Sequence, residues 1–228
     1  RAFQTADSTY KLQKGGKGVG RFLWLKAFEK VEVVSVFRDE DNSFYEREFN
    51  FTVKKGVKQK SLKKSQLANK TIVRLIGFDE DYRKQPSAYK TASKIAQRIF
   101  EHCLTRFISK LAPDIYVVDD ADSSKISLHN LYNEIQDNIT TDHFVIKNKE
   151  FNLYHIRLYS TRSQTHQLVY CAHGRDVKSR QIGKLFGTSI QFDDDGKKFF
   201  YSAYVTSPFL DEKVDQYRQE FDIPDRPN

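Results

Sequence analysis

The stretch Lys14-Gly15-Gly16-Lys17-Gly18-Val19-Gly20-Arg21-Phe22 decides how the rest of the chain is read. It carries four of the ten glycines and opens directly onto an apolar run, Phe22-Leu23-Trp24-Leu25-Lys26-Ala27-Phe28. Glycine permits backbone turns in which successive N–H groups converge. A helix beginning at Gly18 or Val19 adds its unpaired N-terminal amides and the positive end of its dipole. Together these form a cradle for an anion, most often phosphate. A flexible glycine loop capping an ordinary buried helix has the same composition, so the stretch alone leaves both readings open.

Outward from this stretch, residues 19–28 read as a helix with Phe22, Trp24 and Leu25 available to a core; Trp24 is a core residue rather than a stacking platform. Lys30 to Phe37 is β-branched and partly alternating, which predicts a strand. Asp39-Glu40-Asp41-Asn42 is its turn, and Phe44 to Val53 alternates Phe49, Phe51 and Val53 with polar residues, as a returning hairpin strand does. The segment Lys54 to Lys64 holds six lysines and no acid. It reads first as a mobile hairpin tip and second as a contact for a polyanion. Thr71 to Phe78 is a third strand, and the polar, proline-closed stretch Asp79 to Pro86 is the domain boundary, giving units 1–84 and 85–228. Ala88 to Leu111 is the longest helix, with Ala92, Ile95, Ala96, Ile99, Phe100, Cys103, Leu104, Phe107 and Ile108 on one face and Pro113 ending it. Ile115 to Val118 reads as a strand and Ile126 to Ile135 as a short helix. Strands follow at Phe151–Tyr159, His166–Ala172 and Phe199–Val205. A helix over Ser179–Phe186 makes the last two of these a right-handed crossover within one sheet.

Composition narrows the function classes. With 228 residues, 39% hydrophobic and 14% aromatic, the chain is globular rather than disordered. No apolar run approaches the ~20 residues of a membrane-spanning helix, and no signal peptide is visible, so a cytoplasmic protein with no membrane partner is the simplest expectation. Cys103 and Cys171 lack metal or disulfide spacing. His102, His129, His143, His155, His166 and His173 are scattered, without a pair at metal spacing, and read as structural or surface residues. Ser160, Ser163 and His166 lack the glycine-framed elbow of a hydrolase. Asp119-Asp120-Ala121-Asp122 and Asp193-Asp194-Asp195-Gly196 read as acidic turns. The net charge of +8 permits DNA, another polyanion or a nucleotide as partner. The chain contains no methionine and starts at Arg1, which predicts an internal segment of a longer protein.

The order of motifs is more specific than any one of them. The loop G-G-K-G-V-G, an apolar helix, K-V-x-V-x-S, a hairpin and then T-x-V-x-L resemble the GHKL ATPases, the group of gyrase, the ninety-kilodalton heat-shock chaperone, histidine kinases and MutL. In that family the G-x-x-G-x-G loop belongs to the lid over the ATP phosphates, and Gly15, Gly18 and Gly20 match it. A second resemblance is to the transducer domain of MutL, with a strand ending in N-G-R and a later D-x-N-V-x-x-x-K-x-E-V pattern. Here Ala172-His173-Gly174-Arg175 and Asp211 to Phe221 stand in those places, with Arg218 replacing the family lysine that reaches the γ-phosphate. Arginine keeps the charge and adds a two-pronged donor. A surface ion pair with Glu220 or Asp222 is the plainer reading of Arg218.

The resemblance implies an α+β chain: the C-terminal part of a GHKL α/β sandwich, then a transducer-like α/β domain with a βαβ crossover. It implies ATP as ligand, held by Gly15, Gly16, Lys17, Gly18, Val19, Gly20 and Arg21 at the phosphates and by Thr71 near the adenine. Arg218 is the implied γ-phosphate sensor coupling nucleotide state to conformation. The family's catalytic Glu, its Mg²⁺-binding Asn and the Asp of D-x-G-x-G have no counterpart in this sequence. Hydrolysis and the Mg²⁺ ligand are therefore expected of a longer parent protein, and the isolated segment is expected to be inactive. Dimerisation on ATP is also implied for such a parent. A nucleic-acid-binding module using the lysine segment, and a chaperone-like clamp on a protein client, are the other readings.

Overall fold

The computed structural model describes residues 20–84, 91–159, 165–187, 190–215 and 219–223, with side chains from Leu23 onward. The chain divides into two compact units, Arg1–Ala88 and Tyr89–Asn228, and the whole is a mixed α+β structure. No described helix is long and apolar enough to cross a membrane.

In the first unit, helix α1 (Gly20–Ala27) runs straight into strand β1 (Phe28–Arg38). Three more strands follow, β2 (Phe44–Thr52), β3 (Gly56–Ser65) and β4 (Lys70–Phe78), then the short helix α2 (Glu80–Lys84). The sheet is antiparallel in the order β3-β2-β1-β4. Its register sets Val31 opposite Phe51 and Val33 opposite Phe49. These four are buried together, and Trp24 and Leu25 of α1 pack on them. Period-two alternation puts odd-numbered β1 residues on this apolar face and even-numbered ones on the other.

The even face explains the lysine segment, and here the structure corrects the sequence reading. Residues 56–65 are a full edge strand rather than a hairpin tip. Lys63 stands directly opposite Glu46 and bonds it at 3.0 Å, and Lys60 reaches Glu48 at 2.8 Å. These cross-strand carboxylates are why so polar a stretch still pairs as a strand, and lysines on an edge strand resist pairing with another chain. With Lys60 and Lys63 committed to carboxylates, the segment is a weaker polyanion contact than its composition implies.

The second unit is built on helix α3 (Ala92–Ile108). Thr91 caps it by accepting from the Lys94 N–H. It ends earlier than Leu111 because Lys110 takes φ +56° and the Lys110 and Leu111 N–H groups close back on Phe107 and Arg106. The hairpin β5 (Tyr116–Asp119) and β6 (Ser124–Ser127) precedes helix α4 (Leu128–Asn133). Strands β7 (Thr140–Ile146), β8 (Lys149–Leu158), β9 (Gln167–Ala172), β10 (Arg175–Gln181), β11 (Phe192–Asp194) and β12 (Lys197–Thr206) follow, then α5 (Pro208–Lys213). The main sheet runs β10-β9-β12-β8-β7, with β11 paired to β12. Ala96, Phe100, Leu104 and Phe107 of α3 are buried against Ile156, Leu158, Val169, Cys171 and Tyr204 of the sheet.

Two further corrections belong here. The helix expected over 179–186 is the end of β10 followed by a single 3-10 turn, Gly183–Phe186. The tight turn at His173-Gly174 returns the chain beside β9, and that pairing overrides the local helical pattern. Strands β9 and β12 are parallel neighbours, but β10, the 3-10 turn and β11 lie between them in place of the expected crossover helix. Strand β7, to which the sequence reading assigned nothing, borders β8.

Candidate functional site

On the apolar face of the first unit, the register aligns Arg47, Ser35 and Thr71 across β2, β1 and β4. The Ser35 and Thr71 hydroxyls lie 2.8 Å apart, each able to donate or accept. The Arg47 guanidinium lies 5.3 Å from the Phe49 ring centre, and its buried Nε has no hydrogen-bond partner. A buried donor without a partner is costly, which marks this row as a polar strip on an otherwise apolar face. It shares its face with the core under α1, the helix that continues the glycine stretch. A planar ligand with mixed donors and acceptors suits a hydroxyl pair at the border of an apolar patch.

The expected site residues divide as follows. Thr71 lies on β4 beside Ser35. Gly20 and Arg21 are the first two described residues and lie in α1; their side-chain positions are outside the description. Gly15, Gly16, Lys17, Gly18 and Val19, and likewise Arg218, lie outside the described residues. Arg47 went unnoticed in the sequence; only its place opposite Ser35 marks it, and that register is not visible in composition.

In the second unit the histidines have identifiable partners. His166 is fully buried among Phe186, Phe192 and Phe200. Its Nδ1 accepts the Tyr201 N–H at 2.9 Å and its Nε2 donates to the Ile190 carbonyl at 2.7 Å, which assigns the ring proton to Nε2. It is a satisfied core histidine. His102 pairs with Asp176, His129 lies 3.5 Å from Asp114, and His143 bonds Asn152 at 2.6 Å. His155 bridges two groups: Nε2 to Asp142 at 3.0 Å and Nδ1 to the Tyr201 hydroxyl at 2.5 Å. Beside it, Asp194 receives Arg157 and the Tyr159 hydroxyl, each at 2.7 Å. These two donors, the tyrosine foremost, hold the Asp194 carboxyl below its usual range. Both acidic stretches are turns, and the second orients Asp194.

Cys103 and Cys171 are free thiols, and burial pushes the Cys171 thiol far above the ordinary range. Among the described residues no group of three or more His, Cys, Asp or Glu is arranged to hold a metal ion.

No family model matches the chain, and no curated protein matches it. Among solved structures it is similar to the B subunit of the DNA gyrase from Myxococcus xanthus, with a TM-score of 0.42 and 9% identity. The alignment covers 88% of this chain and 64% of that one, so the chain spans less than two thirds of that structure's length. At that TM-score the likeness carries neither the fold nor an activity.

Proposed function

We propose that the chain is the ATP-binding segment of a GHKL-type ATPase. The observation that supports this best is the Ser35–Thr71 hydroxyl pair on adjacent strands, at the border of the apolar face covered by α1. It sets the threonine of T-x-V-x-L beside the serine of K-V-x-V-x-S, the two motifs on which the family resemblance rests, directly after the glycine stretch. In this reading Thr71 and Ser35 meet the edge of the adenine, and Arg47 offers its orphaned Nε to an acceptor on the ligand. The amides of Gly15 to Arg21, with the Lys17 and Arg21 charges, surround the phosphates, and Arg218 is the γ-phosphate sensor. These residues bind, orient and neutralise charge. No residue of this chain is assigned as the base that activates water or as the Mg²⁺ ligand.

Photolabelling with 8-azido-ATP tests this on the chain itself. The expected modified peptides contain residues 14–22 or the neighbourhood of Thr71, labelling is competed by ATP, and Thr71→Val reduces it. Labelling confined to the second unit, or unchanged in Thr71→Val, would overturn the reading. ATP hydrolysis by these 228 residues is expected to be absent.

A further inference from the structure

The sheet of the second unit has two faces, and α3 covers only one. On β8 the even residues Ile156 and Leu158 join the core under α3, while the odd residues His155 and Arg157 emerge on the other side. There, β7, β8, β11 and β12, with the 3-10 turn before β7, line an open cavity of about 550 Å³ that includes Asp137, Asp142, His155, Arg157, Phe199 and Tyr201. A volume of that order accommodates a small ligand.

The lining has a definite polarity. Asp142 can only accept a hydrogen bond, so the proton of the His155 ring sits on Nε2, and Nδ1 accepts the Tyr201 hydroxyl proton. Burial, and then the Asp142 charge, push the Tyr201 phenol up, so it stays a neutral donor. Among the described residues one Asp142 oxygen is used, and its side chain is 74% exposed. Among the described residues Arg157 is the single lysine or arginine of the lining, and Asp194 neutralises it at 2.7 Å. Two aspartates of the lining, Asp137 and Asp142, thus have no lysine or arginine partner in it among the described residues. The Phe199 ring is buried and already carries the Arg157 guanidinium 5.6 Å from its centre, so the Tyr201 ring supplies the π surface beside the aspartates. In a chain whose net charge is +8 this is a local anionic, aromatic cavity.

We infer that this cavity is a binding site for a planar organic cation, a guanidinium or amidinium on an apolar body. The second oxygen of Asp142 and the Asp137 carboxylate accept its N–H groups, and the Tyr201 ring takes its face. His155, held between Asp142 and Tyr201, is a positioning residue that fixes both. The same chemistry is carried by a free small molecule and by an arginine side chain on a peptide. The site is independent of the nucleotide reading, since every residue in it lies in the second unit.

Calorimetric titration of the chain with benzamidine, with its neutral isostere benzamide, and with acetyl-Ala-Arg-Ala-amide tests the inference. Benzamidine is expected to bind at millimolar concentration or below, and benzamide about tenfold more weakly, as loss of a charged hydrogen bond implies. Asp142→Asn is expected to weaken benzamidine about tenfold. Asp142 is exposed, so this variant is expected to keep the parental circular dichroism, and Asp137→Asn provides a second variant with an effect of the same sign. Binding of the peptide as tightly as benzamidine identifies an arginine side chain as the source, and binding of benzamidine alone identifies a free cation. No binding by either probe, equal binding of benzamide, or full affinity in folded Asp142→Asn overturns the inference.

Discussion

His173 and Gly174 turn β9 into β10 with φ of +51° and +74°, the left-handed pair that a two-residue hairpin of this twist requires. The Arg106 guanidinium of α3 donates to the His173 carbonyl at 2.9 Å, so the turn is tied down from below. A Cβ at Gly174 would stand 2.7 Å from Arg106 Cγ, whereas one at Gly196, also at positive φ, would meet nothing within 4 Å. Gly196→Ala is therefore expected to cost about 1 kcal/mol from backbone conformation alone. Gly174→Ala is expected to cost about 2–3 kcal/mol, since the clash adds to the conformational strain. Urea denaturation of the two variants separates these contributions; equal losses would show that Arg106 yields without cost. Identity alone was informative at Gly174, because glycine at a strand end announces a turn. The arginine packed beneath it, from 68 positions earlier (174 minus 106), was not announced.

At the scale of the element, α3 shows what periodicity captures and what it blurs. Its 3-4 spacing correctly marks Ala96, Phe100, Leu104 and Phe107 as one buried stripe. Ile95, which the same spacing includes, remains 37% exposed at the border of that stripe. Leu104→Ala is expected to destabilise the second unit by about 2–5 kcal/mol by opening a cavity against the sheet. Ile95→Ala is expected to cost well under half as much, because it removes little buried surface. Thermal or denaturant unfolding of both decides it, and similar losses would mean that the helix is rotated from the face described. Strand β3 is the opposite case. Its lysines hide its strand character, because the signal that makes it a strand lies in the neighbouring strand: Glu46 and Glu48 stand where Lys63 and Lys60 can reach them.

For the whole molecule, the second unit owns a substantial core: among the described residues, ten are buried in one cluster spanning α3, α4 and three strands. A domain folds alone when its own core suffices. Residues 89–228 produced alone are therefore expected to unfold in one cooperative transition and to keep the near-ultraviolet dichroism of their aromatic cluster. A non-cooperative transition in that fragment would show that its core is insufficient by itself.

Local patterns in the sequence determined most of the elements, because alternation, helical spacing and turn residues act over a few neighbours. They located β1, β2, β4, α3, β8, β9 and β12, and both acidic turns. The family resemblance pointed to Thr71 by motif, and the same local information placed the helix behind the glycine stretch. What only the tertiary structure decided were partnerships between distant segments. These include the lysine strand with its glutamates, the parallel pairing of β9 with β12, and Arg47 and Ser35 beside Thr71. The cavity where Asp142, His155 and Tyr201 meet belongs with them. A strand's pairing register is a contest among whole faces, settled by which apolar set is buried, and a side chain's role there depends on what the register sets opposite it. His155 and His166 show the difference: both were legible only as scattered histidines, and the fold makes one a satisfied core group and the other the centre of a polar chain.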